Sequence, residues 1–220
     1  MADAKVEKAL YGPSLFEVAL GAVLGLAFGV FVACVMLLFR PQLSVRELPK
    51  EPAKGAVYYL AGSADAGRAR GWQAKEQQLA SGAAVSVNEA ELNAWASART
   101  ATAKSDAKET RFLTVNGLNF RLADDHLQIA LVVKFDYFGL AKDFTLQTRG
   151  GFARSGDGFS FVPEQLYLGS CPVHLIPGVS GVMMRTLFSK PSLPDEVRSA
   201  WSKVTAVAVE GGMLAIATQP

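Results

Sequence analysis

A single long apolar run is the first pattern along the chain. From Leu15 to Phe39 the only charged residue is Glu17. A helix over this run would be roughly 37 Å long at about 1.5 Å per residue, and about 20 apolar residues suffice to cross the hydrocarbon core of a bilayer. Ser14, three residues before Glu17, has the spacing of a capping box at a helix start. The pattern predicts a short tail at 1–14 and a transmembrane helix at 15–39.

A cleaved signal peptide and lipid attachment are the alternatives for this run. A signal peptide has an apolar region of about 7–15 residues that ends at a small-x-small cleavage site. The present run is longer, and residues 37–41 contain no such site. The stretch Phe31-Val32-Ala33-Cys34 resembles a lipobox, but the chain stays apolar from Cys34 to Phe39. We interpret Cys34 as an inert residue of the helix.

Alternation of apolar and polar residues predicts a sheet in the middle of the chain. Every odd-numbered residue from Leu127 to Tyr137 is apolar or aromatic, which is typical of a strand with one buried face. A closing hairpin is predicted around Glu210-Gly211-Gly212. Shorter alternations predict further strands at 118–122, 144–148, 159–161 and 166–168.

Helices are predicted on both sides of these strands. Asn88 is expected to cap one helix. The other expected helices are at 64–81, where Gly67 and Gly71 break or weaken the helix, at 179–189 and at 194–202. We predict an exposed loop at 97–110, which lacks an apolar face, and a stalk at 40–55, which contains three prolines. This order of elements indicates an α+β fold, with one transmembrane helix followed by a curved antiparallel sheet packed with helices in a single globular domain at 56–220.

The charges narrow the choice of partners but do not orient the chain. The net charge is +2 and no cluster of Lys and Arg stands out, so nucleic acid is not an expected partner. Basic residues near the predicted span favour a cytoplasmic domain by their number, since Lys5 and Lys8 precede it and Arg40, Arg46, Lys50 and Lys54 follow it. Long domains, however, translocate largely regardless of such charges.

Small residues recur every four positions along the predicted span. These residues are Gly21, Gly25, Gly29 and Ala33. Such a row allows two helices to approach closely in lipid, where association depends on packing. It predicts contact with a second transmembrane helix, of another copy or of another protein.

Residues able to perform chemistry are few and scattered. His126 follows Asp124 and Asp125 in a predicted turn, and alternate side chains there would not converge on one ion. Cys171 and His174 form half of a metal site that nothing else completes. The sequence contains no nucleophile elbow, P-loop or dinucleotide fingerprint. We expect neither catalysis nor a metal or cofactor.

An apolar ligand is the hypothesis that remains for the globular domain. Aromatic strand residues and the predicted helix at 179–189 could line one interior, in which membrane lipid would be the ligand. An ordinary closed core is the alternative explanation of the same residues. The residues that we expect to contact a ligand are Phe135, Tyr137, Phe159, Phe161, Val182, Met183 and Leu187.

The segment from Val85 to Ala94 reads V-S-V-N-E-A-E-L-N-A. A short strand followed by an E-x-E-L-N-A helix resembles the YpmS-like small single-pass bacterial envelope proteins, and the order of the predicted elements is similar as well. The resemblance implies an extracytoplasmic domain held at the cytoplasmic (inner) membrane, with no known catalysis and with a role in either lipid binding or envelope assembly. The alternative expectation is a structural or assembly subunit that acts through its glycine-faced helix.

Overall fold

A computed structural model describes residues 12–40, 42–47, 49–54, 57–106, 113–137, 140–155, 158–176, 178, 181 and 199–218. In chain order the elements are α1 (Leu15–Phe39), β1 (Gln42–Val45), β2 (Val57–Leu60), α2 (Trp72–Ala80), β3 (Val85–Asn88), α3 (Glu89–Asp106), β4 (Leu113–Ala123), β5 (His126–Tyr137), β6 (Leu140–Ser155), β7 (Gly158–Leu168), β8 (Cys171–Pro172), a 3-10 helix (Val173–Leu175), β9 (Val204–Glu210) and β10 (Met213–Thr218).

The apolar run forms one uninterrupted helix, α1, as predicted. The backbone N–H of Ser14 donates to Glu17 Oε2 at 3.1 Å, and the backbone N–H of Glu17 donates to Ser14 Oγ at 3.3 Å. This reciprocal pair is the capping box that the sequence predicts. None of the residues of α1 is buried. By length and composition α1 could cross a membrane or serve as a signal sequence, and it forms a compact unit apart from the rest of the chain.

The larger sheet is an antiparallel meander in the order β4-β5-β6-β7-β8. Ala123 pairs with His126 across a two-residue turn, in which Asp124 and Asp125 have φ angles of 51° and 59°. Positive φ at both central positions twists the turn in the sense that antiparallel strands require, and Asp tolerates this conformation better than most residues. The predicted alternation and hairpins are therefore confirmed, and the sheet is not closed into a barrel.

The smaller sheet joins distant parts of the chain in the antiparallel order β3-β10-β9. Its hairpin turns at Gly211 and Gly212, with φ angles of 56° and 72°. Strand β10 is the central strand, between β3 and β9. Leu214 of β10 therefore pairs with Val87 on one side and with Val209 on the other. The last strand of the chain therefore pairs with β3, the strand that directly precedes α3.

The core lies between the two sheets and is covered at one end by α3. It combines residues of the larger sheet with residues of the smaller sheet and with Ala96, which is fully buried on α3. Such a layered arrangement buries one face of each sheet, and the chain belongs to the α+β class. The buried members are Val85, Ala96, Phe120, Leu122, Leu127, Val204, Val209, Leu214 and Ile216.

Three local predictions differ from the structure. The predicted stalk at 40–55 contains β1, which pairs in parallel with β2. Of the predicted helix at 64–81 only α2 is helical, after the two glycines, Gly67 and Gly71, at which the sequence predicts a break or weakening. The predicted loop at 97–110 is wrong as far as Asp106, because α3 continues that far. Alanines and long polar side chains favour continuation of a started helix even without an apolar face.

Two predicted helices fall mainly outside the described residues. The predicted helix at 179–189 is described only at Gly181, which is helical, and of the one at 194–202 the described residues 199–201 are helical. The intervening residues lie outside the part of the chain that the structure describes.

Candidate ligand-binding cavity

An apolar cavity of about 240 Å³ opens at the end of the core where α2 and α3 cover the smaller sheet. Its wall is aromatic and aliphatic, apart from three charged residues. The lining residues are Trp72, Lys75, Glu76, Leu79, Val85, Val87, Glu91, Leu92, Trp95, Phe120, Leu127, Trp201, Leu214 and Ile216.

One face of α2 forms the outer wall of the cavity. The four lining residues of this short helix, at positions 72, 75, 76 and 79, follow the spacing of an amphipathic helix. None of the residues of α2 is fully buried. The stretch is polar on average, and its lining face combines one tryptophan and one leucine with two charges. This mixed face explains why the helix can border an apolar cavity and still contact water.

All three tryptophans of the protein line this cavity. Trp95 donates its indole N–H to Glu76 Oε1 at 3.1 Å, and its ring lies 6.5 Å from that of Phe120. Trp201 donates its indole N–H to the carbonyl oxygen of Phe159 at 2.7 Å. With its polar atom satisfied, a tryptophan ring can present its apolar surface to the interior at low cost.

The charged residues of the wall are paired with opposite charges. Lys75 Nζ lies 2.6 Å from Glu91 Oε2, and the Glu91 side chain is only 4% exposed. Glu76 forms an ion pair with Arg99, whose guanidinium also lies 6.0 Å from the centre of the Trp95 ring. The two pairs tie α2 to α3 beside the cavity.

The motif that carries the family resemblance has a structural role here. Glu91 completes a capping box, since Asn88 Oδ1 accepts the Glu91 backbone N–H at 3.0 Å and Glu91 Oε2 accepts that of Asn88 at 2.9 Å. Glu89 Oε2 accepts the backbone N–H of Leu122 at 2.9 Å, and its Oε1 accepts that of Ser63. Both carboxylates therefore position α3.

Asn93 closes the free edge of β4. Its Oδ1 accepts the backbone N–H of Phe120 at 2.6 Å, and its Nδ2 donates to the carbonyl oxygens of Phe120 and Ser63, each at 2.8 Å. One carboxamide thus substitutes for a neighbouring strand, and an edge strand without such cover would expose unpaired groups. This pairing positions Phe120 in the cavity wall.

A second polar cluster joins β2 to β4 beside this edge. Asn119 Oδ1 accepts the Tyr59 hydroxyl and the backbone N–H of Gly62, each at 2.8 Å. Burial raises the pKa of Tyr59 to about 12, with a smaller rise from Glu89 that opposes the lowering by Arg121. A Cβ at Gly62 would lie 1.8 Å from the carbonyl oxygen of Phe120, so only glycine permits this approach.

The two predicted ligand-binding residues whose side chains the structure describes, Phe159 and Phe161, are not among the lining residues of the cavity. Phe159 and Phe161 are partly buried and pack against the core cluster, and the backbone carbonyl of Phe159 accepts the indole N–H of Trp201, which lines the cavity. The other five lie outside the described side chains, and these are Phe135, Tyr137, Val182, Met183 and Leu187.

The histidines take part in local contacts of the larger sheet. His126 Nε2 lies 3.2 Å from Glu164, and His126 Nδ1 contacts the carbonyl oxygen of Asp124. His174 Nδ1 lies 3.3 Å from the backbone nitrogen of Leu166. Within the described ranges, no group of three or more potential ligand residues could hold a metal ion.

Sequence reasoning missed the cavity because its wall comes from distant segments. The spacing of Trp72, Lys75, Glu76 and Leu79 is a helical signal, but it does not show what the face covers. Trp201 reaches the same space from more than a hundred residues away. Comparison with protein-family models, with curated proteins and with solved structures found no match to this chain.

Proposed function

We propose that this protein is a single-pass membrane protein whose globular domain binds an apolar ligand, such as a lipid chain, without catalysing a reaction. The observation that carries the proposal is the cavity bounded by α2, α3 and the smaller sheet. Ligand sites are typically concave and apolar, with a few polar groups at fixed positions. This description fits a wall of aromatic and aliphatic residues with two ion pairs at one side.

The size of the cavity sets the scale of the ligand. A cavity of about 150 Å³ with apolar walls accommodates benzene, whereas this one has about 240 Å³. It can hold a larger group, such as a segment of an acyl chain. Burial of apolar surface contributes about 25 cal/mol per Å², so a chain segment inserted here would bind without any reactive group.

The apolar helix supports the membrane part of the proposal. Its length of 25 residues fits a spanning helix, and none of its residues is buried in the described structure, which is compatible with lipid contact. The closing Arg40 lies at the boundary where a charged residue can reach the head groups. A domain held beside a bilayer would meet lipid as its most abundant apolar ligand. Placement in the cytoplasmic membrane, with the domain outside the cytoplasm, follows from the family resemblance alone.

The experiment uses the tryptophans as reporters. The full-length protein in nanodiscs is titrated with 10-bromodecanol, because bromine quenches tryptophan emission on contact. Since every tryptophan lines the cavity, a probe that enters only the bilayer leaves the emission unchanged. We expect saturable quenching with one probe per protein.

Paired variants locate the binding. Val87→Phe adds bulk to the cavity wall and is expected to lower the affinity for the probe, measured by quenching, by about tenfold or more. Val162→Phe changes an exposed residue of β7 and should bind the probe as the wild type does. Equal quenching in the two variants, or quenching of the wild type that never saturates, would remove the support for the proposal.

A second candidate function is assembly with another membrane protein through α1. Side-chain carbons built at Gly21, Gly25 and Gly29 would meet no atom within 4 Å. The row formed by these glycines and Ala33 is therefore uncovered in the described structure and open to a partner helix. A packed partner would use the small residues for close backbone contact.

A further inference from the structure

We infer that the cavity selects ligands whose buried end is uncharged, such as a chain that ends in a hydroxyl, an amide or an ester, over fatty acids and amines. The inference rests on the proposed function and names the ligand class. It follows from the charged residues of the wall, which are already paired in the protein.

The Lys75–Glu91 pair is one of the two ion pairs that the polar end of a ligand could meet. The ammonium and the carboxylate are 2.6 Å apart, and Glu91 is nearly buried. Glu91 Oε2 also accepts the backbone N–H of Asn88, which holds the carboxylate in place. The Lys75 ammonium could donate to a ligand carboxylate as well, but one ammonium would then face two carboxylates, so either the acid or Glu91 would lack a full countercharge. Leaving one member of a buried pair unpaired is strongly unfavourable.

Glu76 extends the argument to the second ion pair of the wall. Its carboxylate is held by Arg99 and by the indole N–H of Trp95. A ligand ammonium could also donate to either carboxylate, but each carboxylate already has its cation, so the added positive charge would be buried without a countercharge of its own. A hydroxyl, by contrast, can add a hydrogen bond to either carboxylate and leaves both ion pairs intact. Neither a cation nor an anion therefore finds an uncompensated partner among the described lining residues.

The test compares three probes of one chain length. The full-length protein in nanodiscs is titrated with 10-bromodecanol, 10-bromodecanoic acid and 10-bromodecylamine, again by tryptophan quenching. We expect the alcohol to bind about tenfold more tightly than the acid or the amine, which corresponds to about 1.4 kcal/mol.

A variant of Glu91 then assigns the selectivity. Glu91→Gln keeps an acceptor for the helix cap, since glutamine also serves in a capping box, but it removes the charge that holds Lys75. The acid should gain about tenfold relative to the alcohol. Lys75→Met should instead favour the amine, because Glu91 then has no cation. Glu164→Gln changes an exposed residue that does not line the cavity and should leave all three affinities unchanged.

The outcomes separate this inference from the proposed function. If none of the probes gives saturable quenching, the proposed function fails and the inference with it. If all three bind equally well, the cavity binds ligand and only the inference is overturned. The melting curve of each variant shows whether it is folded. If folded Glu91→Gln and folded Lys75→Met both keep the selectivity of the wild type, the inference is overturned as well.

Discussion

Asn93 shows how much of this fold depends on single polar side chains. The residue is 4% exposed, and both ends of its carboxamide are used at the edge of β4. A buried hydrogen bond contributes about 1 kcal/mol net, but an orphaned buried donor or acceptor costs about 1–3 kcal/mol. Removing one partner of such a buried hydrogen bond therefore lowers the free energy of unfolding by more than the bond contributes.

Asn93→Ala is therefore expected to lower the free energy of unfolding by about 2–4 kcal/mol, because Phe120 loses partners for both of its backbone groups. The measurement is the denaturant midpoint of the protein in detergent, followed by tryptophan emission. Ser97→Ala is the matched control on the same helix, since its hydroxyl bonds only to the Asn93 carbonyl oxygen. A loss below about 0.5 kcal/mol for Asn93→Ala would contradict the edge-closing role.

Tyr59 makes the free energy of unfolding fall at alkaline pH. Its pKa is about 12 in the folded protein and near 10 when exposed. Between these values the unfolded chain releases the phenolic proton and the folded chain retains it, so the folded state loses stability as pH rises. Below about pH 10 the contribution is fully present. The loss approaches about 2 kcal/mol near pH 12.

The free energy of unfolding, measured from pH 8 to 11.5, should show this loss in the wild type. In Tyr59→Phe the part of the loss that comes from the phenol should be absent. Tyr58→Phe, one residue earlier on β2, keeps the buried phenol and should retain the loss. Parallel pH profiles for the wild type and Tyr59→Phe would show that the phenol does not titrate differently in the two states.

At the scale of elements, α1 offers the clearest functional test of the assembly candidate. Replacing Gly25 and Gly29 with leucine should reduce crosslinking between membrane helices several-fold, because bulky side chains separate the backbones on that face. The control replaces Val23 and Ala27, on the opposite face, with leucine. Both pairs of changes should leave tryptophan emission unchanged. Undiminished crosslinking of the glycine variant would exclude this face as the contact.

The positions of α2 and α3 differ in how far they depend on residues close by in the sequence. The start of α3 is set by a capping box within four residues, from Asn88 to Glu91, and could be predicted from the sequence. The placement of α2 depends instead on the Lys75–Glu91 and Glu76–Arg99 pairs, whose partners lie 16 and 23 residues away. Spacing alone does not show which charges will meet.

At the scale of the whole molecule, the extent of the globular domain can be tested by truncation. The compact unit begins at Arg40, and four residue pairs join β1 to β2. A fragment of residues 40–220 should be soluble and unfold cooperatively. A fragment of 56–220 lacks β1 and should melt about 5 °C lower, which corresponds to about 2 kcal/mol for a domain of this size.

Circular dichroism melting of the two fragments gives the comparison. A third fragment, 46–220, removes β1 but keeps the following loop and should melt like 56–220. If all three melt together, β1 contributes nothing to the stability of the domain. An aggregated 40–220 fragment would show instead that the globular unit depends on α1.

The sequence by itself determined the apolar helix, the period-two strands, the two-residue turns and the start of α3. Each depends on residues within a few positions of one another: a run of apolar side chains, an alternation, an Asp-Asp or Gly-Gly pair, or a capping box. These signals also placed the chain in the α+β class. The length of α3 beyond Ser97 was missed because helix propensity without an apolar face resembles an exposed loop.

Only the tertiary structure decided where an apolar ligand could bind. Trp72, Trp95 and Trp201 share one cavity because β3 pairs with β10 and α3 covers the edge of β4, and these contacts join segments far apart in the chain. The same pairing explains why the E-x-E-L-N residues hold the fold together at the cavity. Apolar residues of a packed core and of a cavity wall have the same pattern in sequence, and they are distinguished only by the space left between them.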